Sequence, residues 1–407
     1  MHRGSAFVVW LVVVLGIYAS IHYYLWTRLI RAPALPPPWR TGLTLLVVAL
    51  SLALPLSMGL ARLVGWARAD ALLWLAFAWA GLAMFLFIVL VGVDAARGAT
   101  LLGLKLAHSD LLADPGRRLF LSRAIAVGAT GLAAGISGLA FGEALAGPVL
   151  RRVRVALPRW PAALDGYSIV QLTDLHVGRT IGRRYVEEVV RRTNELAPHL
   201  IVITGDLVDG TPEELAAAVE PIAQLRAPDG VWFVTGNHDY YSGVEPWLRW
   251  LRQHQVRVLR NARVQVGEGD ASFDLAGVDD SYFDADVARA LAGRDPLRDV
   301  ILLAHQPQEI VAAAKLGVGL QLSGHTHGGQ LWPGTWVAKL MFHWVAGMFR
   351  VGGSQLYVSA GSGYVGPPMR LGTRSEITLF EVSRGTEKSP QPETTGSPTA
   401  DKALAPT

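Results

Sequence analysis

"HLIVITGDLVDG", residues 199–210, decides the fold. The apolar, β-branched run from Leu200 to Thr204 stops abruptly at Gly205-Asp206, the signature of a strand buried on both faces that ends in a polar turn. The same arrangement recurs along the chain. "YSIVQLTDLHVG" (167–178) ends in Asp174 and His176, and "GVWFVTGNHDYY" (230–241) ends in Asn237, His238 and Asp239. "DVILLAHQPQ" (299–308) delivers His305, and "VGLQLSGHTHGG" (318–329) delivers His325 and His327. Amphipathic stretches such as "IGRRYVEEVVRRTNELA" (181–197) lie between them, so the pattern predicts an α/β fold with strands buried between helices.

Five strands end in Asp, Asn or His. In open α/β sheets the carboxyl ends of the strands share one edge, where ligands bind. The polar residues spread over 174–327 are therefore expected in one cleft. The chain has no cysteine, which rules out disulfides and thiolate metal sites. Carboxylate, amide and imidazole donors suit borderline divalent ions such as Mn, Fe or Zn. The donors are too many for one ion and suit two ions about 3.5–4 Å apart sharing a carboxylate. His325 and His327, alternating along extended backbone, share a face and could each reach a different ion.

The ordered set D-x-H (174–176), G-D-x-x-D (205–209), G-N-H-D (236–239), His305 before x-Pro, and G-H-x-H (324–327) resembles the signature of calcineurin-like metallophosphoesterases. With "GHTHGGQ", "GPPMRLGTRSEITLF" and the apolar N-terminal region, the chain is similar to the membrane-associated, YkuE-like branch of that family. The resemblance implies an α/β sandwich of two mixed sheets flanked by helices, placed after transmembrane helices. It implies one ion held by Asp174, His176, Asp206 and His327, and a second by Asp206, Asn237, His305 and His325, with Asp206 bridging. A hydroxide between the ions would attack the phosphoester. His238 would protonate the leaving oxygen, Asp239 would orient it, and Asp209 would hold a ligand in place from behind. Arg179 and Arg183 fit either contact with a substrate phosphate or a solvated helix face, while His199 and His254 read as structural.

The remaining sequence concerns the membrane. Of 407 residues 51% are hydrophobic, and the excess lies at the N-terminus. Residues 7–27, 43–64 and 71–93 each approach the ~20 apolar residues that span a bilayer, and 124–146, richer in Ala and Gly, is a weaker fourth. Charge is scarce at mid-depth in these spans, against a transport site of their own. Arg28, Arg31 and Arg40 follow the first span, and Arg97, Lys105, Arg117, Arg118 and Arg123 follow the third. By the positive-inside rule this puts the large domain outside the cytoplasm, although Arg151, Arg152 and Arg154 argue the other way. "GRRLFLSRA" (116–124), followed by a mild apolar segment and "ALA" (144–146), resembles a twin-arginine export signal. Cleavage there or retention as an anchor both fit. The expected organisation is a transmembrane region over 1–150 with this signal near 116–146, a catalytic domain over 151–383 and a disordered tail over 384–407.

The expected activity is metal-dependent phosphoester hydrolysis, tilted toward a diester of the cell envelope, from a multi-pass position in the cell (inner) membrane. A cytoplasmic pyrophosphatase acting on UDP-2,3-diacylglucosamine is the alternative enzyme, and a non-catalytic metal-binding scaffold or sensor the alternative of another class. No basic run interleaved with aromatics points to nucleic acid. After the last motif, Trp332, Trp336, Met341, Phe342, Trp344, Met348 and Phe349 fit equally a flap facing a lipid-linked substrate and an ordinary sheet–helix core.

Overall fold

The computed structural model describes residues 2–64, 66–106 and 114–385. The expected disordered tail lies outside the described residues, apart from Arg384 and Gly385. The chain forms two compact units. One comprises the helices up to Ala146 together with Val365–Leu371; the other runs Gly147–Tyr364 and resumes at Gly372.

The first unit holds α1 (His2–Trp26), α2 (Pro37–Val64), α3 (Trp66–Leu106) and α4 (Pro115–Leu145). Among the described residues three segments are long and apolar enough to cross a membrane: Pro37–Ser57, Ala71–Leu106 and Pro115–Leu145. The expected span 7–27 coincides with α1, where Phe7 and Trp10 are outside the described side chains. The weak segment at 124–146 is part of a continuous helix, α4, of 31 residues. At about 1.5 Å per residue it exceeds the ~30 Å hydrocarbon core. Arg117 and Arg118 occupy its first turn, and Asp114 caps it by accepting the Gly116 N–H at 2.9 Å. Polar links tie α1 to α3. Tyr24 donates to Asp94 at 2.7 Å, Arg28 pairs with the same carboxylate, and Trp79 Nε1–H donates to His22 Nε2 at 2.9 Å.

The second unit opens with β1 (Val149–Leu157), β2 (Tyr167–Leu172), α5 (Arg183–Glu195), β3 (Leu200–Thr204), α6 (Pro212–Val219), β4 (Val231–Val234), α7 (Asn237–Tyr241), α8 (Val244–Gln253) and β5 (Arg257–Val258). It continues with β6 (Ala262–Glu268), β7 (Ala271–Gly277), α9 (Val287–Ala290), β8 (Val300–Leu303), α10 (Ile310–Lys315) and β9 (Leu320–Ser323). The last elements are α11 (Gly334–Met341), β10 (Gly347–Val351), β11 (Ser354–Val358) and β12 (Glu376–Arg384). The strands make two mixed six-stranded sheets, ordered β1-β12-β2-β3-β4-β5 and β10-β11-β9-β8-β7-β6.

Strands β2, β3 and β4 are parallel, as are β7, β8, β9 and β11. Their residues are buried on both faces, which is why they read as unbroken apolar runs. The facing sides interdigitate through Ile169, Val202 and Val234 on one sheet and Phe273, Leu275, Ile301 and Leu322 on the other. Each such fully buried side chain contributes roughly 1.5–3 kcal/mol relative to exposure. The helices cover the outer faces with the apolar stripe their spacing predicts. On α5, Val186, Val189, Val190 and Thr193 point in, while arginines and glutamates pair along the outside. Gln171, buried between the sheets, donates to Ser323 O at 3.0 Å and to Thr204 Oγ1 at 2.8 Å. It stitches the two sheets together where both deliver their polar ends.

Candidate metal centre

The loops after β2, β3, β4, β8 and β9 do converge. Three sets of side chains bring their ligand atoms within 4.8 Å of one another: Asp174, His176 and His327; His176, Asp206 and His238; and Asp206, His305 and His325. The backbone of neighbouring loops is laced first. Asp174 N–H donates to Gly205 O at 3.0 Å and His176 N–H to Asp206 O at 3.1 Å. His325 N–H reaches the Asp174 carboxylate at 3.0 and 3.1 Å, and His238 N–H reaches Asp206 Oδ1 at 2.8 Å.

This convergence costs backbone freedom. Asp174, His176, Asp206, His325 and His327 all sit in the left-handed region, with φ between 49° and 72°. Non-glycine residues seldom adopt it, and clusters of such residues mark functional sites. Close approach dictates two of the glycines. A Cβ on Gly236 would lie 2.2 Å from Asp206 Oδ1, and one on Gly324 would lie 2.1 Å from Asp174 Oδ2.

The proton positions follow from the partners. His305 Nδ1 faces Thr204 O at 2.8 Å, and a carbonyl only accepts, so Nδ1 carries the hydrogen. Its Nε2 then points at Asp206 Oδ2, 3.1 Å away, and lies 3.3 Å from His325 Nδ1. His176 Nδ1–H donates to Asp209, 3.1 Å from each oxygen, which turns its Nε2 toward His327 Nε2 at 3.0 Å and Asp206 Oδ2 at 3.7 Å. His327 Nε2 is also 3.4 Å from Asp174 Oδ1. Acceptor atoms crowd together here around Asp206 Oδ2, in a buried place.

Such crowding demands positive charge. Burial opposes it, yet Asp209, Asp206 and Asp174 push the His176 imidazole up to about 9. Against the same desolvation, Asp206, Asp174 and Asp280 push His305 up to about 10. Burial disfavours the charge of Asp206 and Asp209, but the facing imidazoles hold both carboxyls well below the usual range. His325 goes the other way: burial, and then His305, push it down to about 3, so it offers a neutral nitrogen. The cluster fits divalent cations in the place of protons, with no sulfur and a carboxylate–imidazole–metal arrangement at Asp209–His176. Asn237 adds an independent sign, since its Oδ1 is buried and has no hydrogen-bond partner.

One expected position behaves differently from the sequence reading. Asp239 does not orient His238. Its carboxylate is fully engaged by backbone, accepting from Asp206 N–H at 2.9 Å, Leu207 N–H at 3.0 Å and Gly236 N–H at 2.8 Å. Burial and the neighbouring Asp206 push it up to about 7. The carboxylate at His238 is Asp209, which accepts from Nδ1–H at 2.7 Å while also holding His176. The physical reason is local. Asp239 lies in the first turn of α7, where it meets bare backbone amides, whereas Asp209 projects from the loop after β3.

Arg183 pairs with Glu187 and Glu220 on an exposed face, and Arg179 lies beside Glu214. His199 packs against Tyr167 and Ser168, and His254 stacks on Trp250. Sequence reading passed over Thr173, whose hydroxyl donates to Asp174 Oδ2 at 2.8 Å, and Ser362, whose backbone N–H donates to Thr173 O at 2.7 Å. A threonine directly before a ligand and a serine nearly two hundred residues later carry no motif. The aromatic stretch divides: Trp344, Met348 and Phe349 pack on the cores, whereas Trp332, Trp336 and Met341 are exposed.

A calcineurin-like phosphoesterase family model matches residues 167–329. Over 246 residues the chain is 39% identical to a transmembrane protein with metallophosphoesterase domain of Danio rerio, covering 57% of this chain and 56% of that one. It is 34% identical over 276 residues to an uncharacterized metallophosphoesterase of Helicobacter pylori, covering 66% and 73%. It is 30% identical over 238 residues to the uncharacterized metallophosphoesterase YkuE of Bacillus subtilis, covering 54% and 81%. The chain spans 56% of the Danio rerio relative and 63% of a transmembrane protein with metallophosphoesterase domain of Bos taurus.

Proposed function

The chain belongs to the calcineurin-like metallophosphoesterase family, and on that premise we propose that it hydrolyses a phosphoester at a dinuclear metal centre while anchored in the cell membrane. The observation that carries the proposal is Asp206 Oδ2, set between the Nε2 atoms of His305 and His176 at 3.1 and 3.7 Å. In this reading Asp174, His176, Asp206 and His327 hold one ion, and Asp206, Asn237, His305 and His325 the other. Two divalent cations (Mn, Fe or Zn), when bound, supply Lewis acidity and the charge that makes water nucleophilic near neutral pH.

The chain's own groups do the rest. His238 is half-buried at the rim of the cluster. Asp209 accepts from its Nδ1–H and so orients the ring, and in the doubly protonated imidazolium form Nε2–H is the proton given to the leaving oxygen. Asp239 acts as a brace, fixing the Asp206 and Gly236 backbone that carries two ligands. A leaving group that needs an acid favours a diester, and a lipid-linked envelope ester suits a chain with membrane helices. The basic residues after the first and third spans, with Arg117-Arg118 ahead of α4, support an extracytoplasmic catalytic domain over 151–383, a multi-pass region over 1–150 and export by a twin-arginine route.

The test uses the full-length protein in nanodiscs, stripped with chelator and given Mn²⁺, on bis(p-nitrophenyl) phosphate beside the monoester. Metal-restored cleavage, lost in Asp206→Asn and slowed in His238→Ala, is expected. A folded, metal-loaded protein that cleaves neither these esters nor a phospholipid diester overturns the proposal.

A further inference from the structure

Helix α11 stands out because, among the described residues, its apolar face lies exposed. Trp336, Val337, Leu340 and Met341 fall within about 140° of one helical face at 100° per residue, and all are exposed, Leu340 by 88% and Met341 by 72%. Trp332 packs edge-on to Trp336, with ring centres 5.9 Å apart, and extends the patch. Only Ala338, on the opposite side, is buried. An exposed apolar patch of this kind on a folded surface marks a contact with a membrane or another molecule.

Charge complementarity and chain connection say which. From Ile310 to Ser375 the sequence contains no Asp or Glu, while Lys339 on α11 and Arg350 on β10 are exposed. A helix with Trp and Leu on one side and a cation at its flank lies in the headgroup–acyl boundary of an anionic bilayer. The same chain carries membrane-length helices, and three residues, Ala146–Pro148, separate α4 from β1. α11 is also fastened to the metal cluster at both ends. The chain enters it from His327 by way of Gly329, and leaves through Phe342, whose ring lies edge-on to His325 at 5.8 Å.

We propose that α11 is an interfacial helix that inserts its Trp336–Leu340 face into an anionic lipid surface and so presents lipid-borne phosphoesters to the adjacent metal cluster. The insertion stands on the exposed face alone; the presentation of substrate rests on the hydrolase reading.

The absence of cysteine makes a direct test simple. Leu340→Cys and, as a control, Leu297→Cys, which is 80% exposed on a loop of the same unit, are each labelled with a fluorophore in the full-length protein. Both are placed in nanodiscs of phosphatidylcholine with phosphatidylglycerol, with and without doxyl-lipid quencher. The label at 340 is expected to be quenched at least about threefold more strongly than that at 297, with a weaker difference in pure phosphatidylcholine. Equal quenching at the two positions overturns the inference whatever the activity. For substrate presentation, Trp336→Ser with Leu340→Ser is expected to slow cleavage of a phospholipid diester in the disc roughly tenfold, while cleavage of bis(p-nitrophenyl) phosphate is unchanged. Equal slowing of both esters overturns the presentation step. Deep insertion without cleavage of either ester leaves the docking standing and removes the hydrolase reading instead.

Discussion

Read as a site for two ions, the cluster has two halves that differ in one donor, Asp174 against Asn237, and in how their histidines are braced. In one half, His176 is held from behind by a carboxylate, Asp209. In the other, His305 is held by a neutral carbonyl, Thr204 O. An imidazole backed by a carboxylate is the more electron-rich and more firmly oriented ligand. The carboxylate-backed half is also the one whose brace reaches His238. Under the proposed reading Asp209 would couple metal affinity to proton transfer on one side, and the carbonyl-braced side would be free of that coupling.

Asp206 is the residue both proposed halves share. Asp206→Asn is expected to lower kcat/KM on the order of 10³-fold, with metal content by elemental analysis falling from two toward one or none per chain. Retention of both ions and full activity would show that Asp206 does not bridge.

His238→Gln addresses the proton alone. It is expected to reduce kcat about 10²–10⁴-fold on an ester with a poor leaving group, with metal content intact and much less effect when the leaving group needs no proton. Asp209→Asn should combine a milder form of that loss with a loss of affinity for one ion only, each about 10–100-fold. Metal titration would resolve one weakened site and one unchanged. If both sites weaken alike, the asymmetry of the braces has no consequence.

The smallest effect is steric. Gly236→Ala puts a methyl group against Asp206 Oδ1 and is expected to cost about 1–3 kcal/mol of stability by chemical denaturation. The two metal affinities should fall together, because the shared carboxylate is displaced.

Much of this architecture was legible in the chain. The buried parallel strands announce themselves as apolar runs that stop at Asp206, Asn237 or His325, since a strand covered on both faces has no polar face to show. The ligands follow because each stands at such an end. Pairings that depend on where a loop turns were not legible. Asp209 and Asp239 both lie within three residues of a ligand, and only the α7 first turn decides which meets backbone amides and which meets His238. Gln171 reads as a stray polar residue in a strand until the second sheet supplies Ser323 O. The aromatic stretch 331–353 mixes core and surface because β10 and α11 divide it between the cores and solvent, a partition that composition does not register.

The left-handed backbone at Asp174, His176, Asp206, His325 and His327 has a consequence for anyone evolving this protein. Each such residue stores strain of about 1–3 kcal/mol, and glycine at that φ would release it. A variant with glycine at His325, whose imidazole faces His305 and is less buried than the others, is then expected to melt at higher temperature in the presence of chelator than the natural sequence does. A screen that selects for thermal tolerance alone would enrich inert proteins, and heat resistance would climb as the chemistry is erased.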